Sequence, residues 1–186
     1  MNIAFATIDN NCYEKFLGKC DLNVIIKKAD RPPAIIYNEV LDETKERFVC
    51  FVHADVSCHG LLNAINKTII ERPNYLLGIV GVKNGYHWSK PNQLFDVMTL
   101  DSCCVVVDKE MGLRFDDKTF DEYHCYVEDI CMQAGKVSTM YINTENNEGD
   151  FFVHHGHTWN KLGGNWGKYN KYRKLLSDKW GNVQTT

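Results

Sequence analysis

Three groups of residues in this chain are of the types that hold metal ions or move protons. The first is His53-Ala54-Asp55, the second is His124 with Glu128 and Asp129, and the third is His154, His155 and His157. On an extended backbone, residues two apart point to the same side, so His53 and Asp55 would share one space. On a helix, His124 and Glu128 would share a face at i, i+4. Asp55 with an imidazole from the third group would make a mixed oxygen and nitrogen site. That chemistry suits a borderline divalent ion such as Mn²⁺, with Mg²⁺ less comfortable beside imidazole. Metal ions in such sites commonly bridge the oxygens of a diphosphate and neutralise charge on a leaving group. Each group also has an ordinary reading: a polar strand end, a solvated helix face, and imidazoles exposed in a loop.

The elements around these groups decide between the readings. Phe48-Val49-Cys50-Phe51-Val52 is an unbroken apolar run that reads as a strand buried on both faces, and it leads straight into His53. Ligand sites in α/β folds lie beyond the carboxyl ends of such strands. Residues 2–8 read as a first strand and Leu22 to Ile26 as a second. Asp30 offers an N-cap for a helix with Pro32 and Pro33 in its first turn, running to about Glu46. Ser57 offers a cap for the next helix, with Leu61, Leu62, Ile65 and Ile69 as its apolar stripe. Tyr75 to Val82, Leu94 to Leu100, Cys103 to Val107 and Val137 to Ile142 read as further strands. The spacing of Phe120, Tyr123, Val127, Ile130 and Ala134 predicts a helix from about Lys118, ended by Gly135. Phe151-Phe152-Val153 leads into the histidine group, and a terminal helix spans about 166–180.

This alternation predicts a single α/β domain, a mainly parallel sheet flanked by helices. Its C-terminal tail is locally basic, with Lys161, Lys168, Lys171, Arg173, Lys174 and Lys179. Lysines there would screen a diphosphate. Trp159, Trp166 and Trp180 are candidates for a sugar or base platform, or for core packing.

With 186 residues the chain has room for a substantial core. A formal net charge of −3 gives no global attraction to nucleic acid or an anionic membrane. No apolar run approaches the roughly 20 residues that cross a bilayer. The N-terminus reads as a strand and not a signal peptide. Of the eight cysteines, Cys50, Cys103, Cys104 and Cys131 lie in apolar or amphipathic segments, and no Cys-x-x-Cys spacing occurs. The expectation is free thiols in a reducing, cytoplasmic compartment, and no thiolate zinc site.

Four short motifs in this order resemble the GT-A, family-2-like glycosyltransferases. They are Ala34-Ile35-Ile36-Tyr37-Asn38-Glu39; Phe51-Val52-His53-Ala54-Asp55-Val56; Leu100-Asp101 followed by Arg114-Phe115-Asp116; and His124-Cys125-Tyr126-Val127-Glu128-Asp129-Ile130-Cys131 with the downstream His154-His155. The chain is similar to the small group with His-x-Asp-Val in place of Asp-x-Asp. The resemblance implies a GT-A-like fold, with residues 1–100 mainly binding a nucleotide-sugar donor. Residues 101–186 would form the acceptor and catalytic half, and further domains of a larger chain are allowed for.

Carried over position by position, the resemblance makes Asp55 a metal ligand and places His53 on the ribose or phosphate side. It makes His155 the distal metal ligand, with His154 and His157 as rivals. Thr7 would grip a uracil-like base, Asn38 would face the nucleotide, and Asp101 would contact donor sugar or acceptor. Asp129 is the assigned catalytic base, with Glu128 adjacent. On a helix the two lie about 100° apart, so they do not both face one substrate. Two positions depart from the family. Tyr126-Val127 stands where Glu-Asp is usual, and the second strand ends in Lys27-Lys28-Ala29-Asp30 instead of an acidic pair. The expected activity is metal-dependent, inverting transfer of a sugar from a UDP- or GDP-type donor to a glycan or other hydroxyl acceptor. The alternatives are a metallohydrolase built on the His/Asp cluster, and a nucleic-acid or partner-binding module using the basic aromatic tail.

Overall fold

The computed structural model describes residues 2–9, 11–90, 93–142, 144, 149–156 and 166–185. A six-stranded sheet runs through it. Its strands are β1 (Ile3–Asp9), β2 (Val24–Lys28), β3 (Phe48–Val52), β5 (Leu76–Gly78), β9 (Cys104–Asp108) and β10 (Val137–Thr139). Their order is β10-β5-β9-β3-β1-β2. All pairings are parallel except those of β9, which is antiparallel to both β3 and β5. A two-stranded antiparallel ribbon joins β4 (Val56–His59) to β11 (Phe151–His154). A small three-stranded sheet holds β6 (Gly81–Lys83), β7 (Tyr86–Trp88) and β8 (Thr99–Leu100).

The helices are α1 (Pro33–Glu43), α2 (Leu61–Glu71), α3 (Tyr126–Ala134) and α4 (Trp166–Trp180). They cover the main sheet on both sides, because β3 is apolar at every position and alternates its faces. Val49 and Phe51 join Ile36, Tyr37 and Val40 of α1, Val127 and Ile130 of α3, and Tyr172 and Leu176 of α4. Phe48, Cys50 and Val52 join Leu61, Ala64 and Ile65 of α2 and Phe152 of β11. A strand buried on both faces has this composition for that reason. Among the described residues, no helix is long and apolar enough to cross a membrane. All eight cysteines are free thiols.

Several expected elements differ. Asp30 does not cap α1. The helix starts at Pro33 with Pro32 before it and no side-chain cap, and it stops at Glu43. Ser57 does not cap α2 but lies in β4. Gly60 occupies the cap with φ +69°, and a Cβ there would sit 2.0 Å from Asp150 Oδ1. The strand expected over Tyr75 to Val82 divides between two sheets. Of Leu94 to Leu100, only Thr99–Leu100 is a strand.

The helix expected from Lys118 begins only at Tyr126, because Cys125 takes a left-handed conformation with φ 61°. His124 therefore lies outside it and shares no helical face with Glu128. Gly135 closes α3 as expected, at φ 65°. Between β1 and β2 lie two 3₁₀ turns, Tyr13–Lys15 and Leu17–Lys19.

Candidate metal and catalytic site

The sheet carries β3 outward to His53-Ala54-Asp55. The backbone N–H of His53 donates to Cys103 O at 2.9 Å, which ties the exit of β3 to the entry of β9. The β4–β11 ribbon then brings in the third histidine group. His154 is paired in register with Val56, and the backbone N–H of His155 donates to Asp55 O at 3.0 Å. The ribbon forms because Val56, Cys58 and Phe152 are buried on one side while the alternate residues are more exposed.

The result is a compact cluster. His154 Nε2 lies 3.3 Å from Asp55 Oδ1 and 3.4 Å from His53 Nδ1. His53 Nδ1 is 4.0 Å from the same carboxylate oxygen. One ligand atom from each of His53, Asp55 and His154 falls within 4.8 Å of the others. The same holds for a second set formed by Asp101, Cys103 and His154. Asp55 is only 1% exposed, a burial that a carboxylate tolerates when charge or hydrogen bonds compensate.

Electrostatics separate the two imidazoles. Burial, followed by the charge on His154, pushes the pKa of His53 below its ordinary value. Its ring is therefore neutral and ready to ligate near neutral pH. Burial also pulls on His154, but the hydrogen bond and charge of Asp55, with Asp101 behind it, together raise that ring above the ordinary value. Two imidazoles and a buried carboxylate converging at a strand end fit a borderline divalent cation.

His155, expected as the distal ligand, does not supply the ring that reaches Asp55. Its Nε2 lies 2.9 Å from Ser57 Oγ, and it stacks on Phe16 with centroids 4.4 Å apart. Successive residues of an extended chain point to opposite sides, so His154 and His155 cannot both face the cluster. His157 lies outside the described residues, as do Trp159 and Lys161.

The adjacent acids of α3 have different surroundings. Asp129 is fully buried and receives three donors: Trp180 Nε1 at 2.6 Å and Lys179 Nζ at 2.8 Å on Oδ1, and Gln133 Nε2 at 2.8 Å on Oδ2. Lys179 also reaches Asp116 at 2.8 Å. Asp129 is thus an anchor between α3 and the end of α4. Glu128 is 7% exposed, and burial, reinforced by the charge of Asp101, pushes its carboxyl up to about 7. Asp101 accepts the Cys103 backbone N–H at 2.7 Å, and its charge acts on His53, His154 and Glu128 alike. It is the charge that the metal-capable cluster and Glu128 have in common.

Thr7 ends up buried near the carboxyl end of β1, and its Oγ1 has no hydrogen-bond partner among the described residues. Asn38, expected to face a nucleotide, uses both ends of its amide on Phe115. Nδ2 donates to Phe115 O at 2.8 Å, and Phe115 N donates to Oδ1 at 3.0 Å. This clamps α1 to the loop after β9. The tail lysines are also engaged locally, Lys168 with Glu122, Lys174 with Asp178 and Lys179 with Asp116 and Asp129. Sequence patterning missed Cys103 and Ser57 as residues of this region. The alternation of β11 across the ribbon is the signal that would have separated His154 from His155.

No protein-family profile and no curated protein matches the chain. Among solved structures it is similar to S. aureus TarS. The superposition on TarS 1–349 has a TM-score of 0.58 at 12% identity, covering 100% of this chain and 67% of that one. Against a longer TarS the TM-score is 0.56 at 12% identity, covering 100% of this chain and 41% of TarS, so this chain spans well under half of that protein. TarS 1–349 in complex with UDP-GlcNAc gives a TM-score of 0.55 at 11% identity, covering 100% and 68%. At these identities the likeness concerns the fold. The chain has the fold of TarS, and the mainly parallel, helix-flanked α/β sheet expected from its sequence is the one it forms.

Proposed function

We propose that this chain is a metal-dependent glycosyltransferase domain, moving a sugar from a nucleotide-diphosphate sugar to a hydroxyl acceptor with inversion. The observation that carries the reading is the convergence of His53, Asp55 and His154 at the end of β3, with the charge of Asp101 common to the two histidines and a buried Glu128. TarS, with the same fold, takes up UDP-GlcNAc in a crystal. That supports a UDP-type donor here. A divalent cation of the Mn²⁺ class, held by His53, Asp55 and His154, would supply charge neutralisation for the leaving diphosphate.

The chain's own groups do the rest. Glu128 is the base in this reading. A carboxyl near pH 7 is half ionised at neutrality, so it both accepts a proton and has the driving force to take it. It removes the acceptor hydroxyl proton as that oxygen attacks the anomeric carbon. Asp101 orients the sugar or the acceptor between the two sites. Thr7, whose hydroxyl has no partner among the described residues and lies near the end of β1, contacts the base of the nucleotide. Asp129 holds α4 against α3 and keeps Glu128 in place. Residues 1–100 mainly serve the donor and 101–186 the acceptor, a glycan or other hydroxyl compound.

The test is release of nucleoside diphosphate from UDP- and GDP-sugars, offered with panels of hydroxyl acceptors and divalent ions. Cation-dependent release that Asp55→Ala removes supports the reading. Release that is equal in wild type and Asp55→Ala, or no release under any pairing, overturns it.

A further inference from the structure

Cys103 has no part in the transfer chemistry just described, yet it is placed as a ligand. Its backbone N–H donates to Asp101 Oδ1 and its carbonyl accepts from His53 N, at 2.7 and 2.9 Å. Those two bonds hold it between the arms of the cluster. The residue is 2% exposed. Its Sγ lies within 4.8 Å of ligand atoms of both Asp101 and His154. Cys103 lies in the turn just before β9, whereas the sulfur of its neighbour Cys104, the first residue of that strand, is 3.6 Å from that of Cys50.

Thiolate zinc sites commonly draw paired cysteines from one local turn. Here sheet register does that work, because Val52 at the end of β3 is paired with Cys104 at the start of β9. Residues flanking that pair, His53 and Cys103, are delivered side by side from distant parts of the chain. His154 is common to the nitrogen–oxygen set and to the sulfur-containing set. The nitrogen–oxygen set alone suits Mn²⁺. Sulfur changes the ranking, since soft thiolate selects zinc-class ions and contributes little to Mg²⁺ or Mn²⁺.

We propose that Cys103 is a metal ligand in a second set with Asp101 and His154, adjoining the His53/Asp55/His154 set, and that this sulfur-containing set prefers Zn²⁺ or Co²⁺ over Mg²⁺ and Mn²⁺. The inference rests on the reading of His53, Asp55 and His154 as a cation site. Ligation replaces the S–H bond by a metal–sulfur bond, the proton leaves to solvent, and no electrons are transferred.

Co²⁺ titration of the metal-free chain tests it. The wild type should show visible cobalt bands together with a near-ultraviolet sulfur-to-cobalt charge-transfer band. Cys103→Ser should keep the visible bands, lose the near-ultraviolet band, and bind Zn²⁺ roughly tenfold or more weakly, with Mn²⁺ affinity little changed. X-ray absorption of the zinc-loaded wild type needs no variant and should show one sulfur at about 2.3 Å. Visible bands without the charge-transfer band, or a charge-transfer band that survives in Cys103→Ser, overturn the thiol assignment alone. Absence of any Co²⁺ or Zn²⁺ binding overturns the cation site with it.

Discussion

His154 Nε2 lies 3.3 Å from Asp55 Oδ1, while the adjacent His155 turns away to Ser57 Oγ at 2.9 Å. One of two successive histidines therefore completes the cluster and the other fastens the ribbon. His154→Ala should weaken divalent-cation binding by roughly tenfold or more in calorimetry. His155→Ala should leave cation affinity nearly intact and lower stability by about 1 kcal/mol, through loss of the Ser57 bond and the Phe16 stack. The reverse order of effects on cation affinity would remove His154 from the site.

Cation binding should strengthen with pH. His53 is held below the ordinary imidazole value by burial and by His154, and is already neutral. His154 is held above it, the bond and charge of Asp55 and the charge of Asp101 outweighing its own burial. A proton on His154 must leave before a cation enters. Affinity should therefore fall as pH drops through the raised His154 value and level off above it. Calorimetry in buffers of different ionisation enthalpy should record proton release below that value. Constant affinity between about pH 5.5 and 8 would contradict the assignment.

As the proposed base, Glu128 would tie activity to a stability cost. Its folded pKa of about 7 exceeds the ordinary 4.5. Protonation is thus favoured in the folded state, and stability falls as pH rises from the unfolded value through 7. The gap corresponds to on the order of 3 kcal/mol above pH 7. Glu128→Gln should be more stable than wild type at pH 8, about equal at pH 4, and roughly 10²- to 10⁴-fold slower in sugar transfer. Identical pH–stability curves for the two proteins would show that Glu128 is not the buried acid described.

Asp129 should behave as an anchor. Asp129→Ala leaves Trp180 without its acceptor while Lys179 keeps Asp116, and should cost about 2–4 kcal/mol in denaturant unfolding. Trp180→Phe removes one donor and should cost about 1–3 kcal/mol. In both, activity should fall in step with the unfolded fraction. An Asp129→Ala protein as stable as wild type, yet without turnover, would return the role of base to Asp129.

What was legible in the sequence follows from where each signal is encoded. Phe48–Val52 is apolar at every position, so burial on both faces was readable without any partner. The terminal helix was readable over residues 166–180 from its own pattern. The start of α3 was not, because Phe120 and Tyr123 continue a helical spacing that Cys125 breaks with a positive φ, and a cysteine gives no warning of that. Ser57 looked like a cap because Val56–His59 is too short to declare itself a strand. Its partner, Phe151–His154, lies far along the chain. The same pairing decides between His154 and His155. Glu128 and Asp129 differ only in what α4 brings to them, which no local pattern contains.

Calorimetric titration of the chain with UDP-GlcNAc, with and without Mn²⁺, in wild type and Asp55→Ala, decides whether this site takes a nucleotide-sugar through a cation. Binding should require the cation and be lost in the variant. Titrations with Zn²⁺ and with UDP alone extend the same measurement to the cation preference and the leaving group. Binding that is indifferent to both cation and Asp55, or no binding of any nucleotide diphosphate with any divalent ion, would contradict the proposed function.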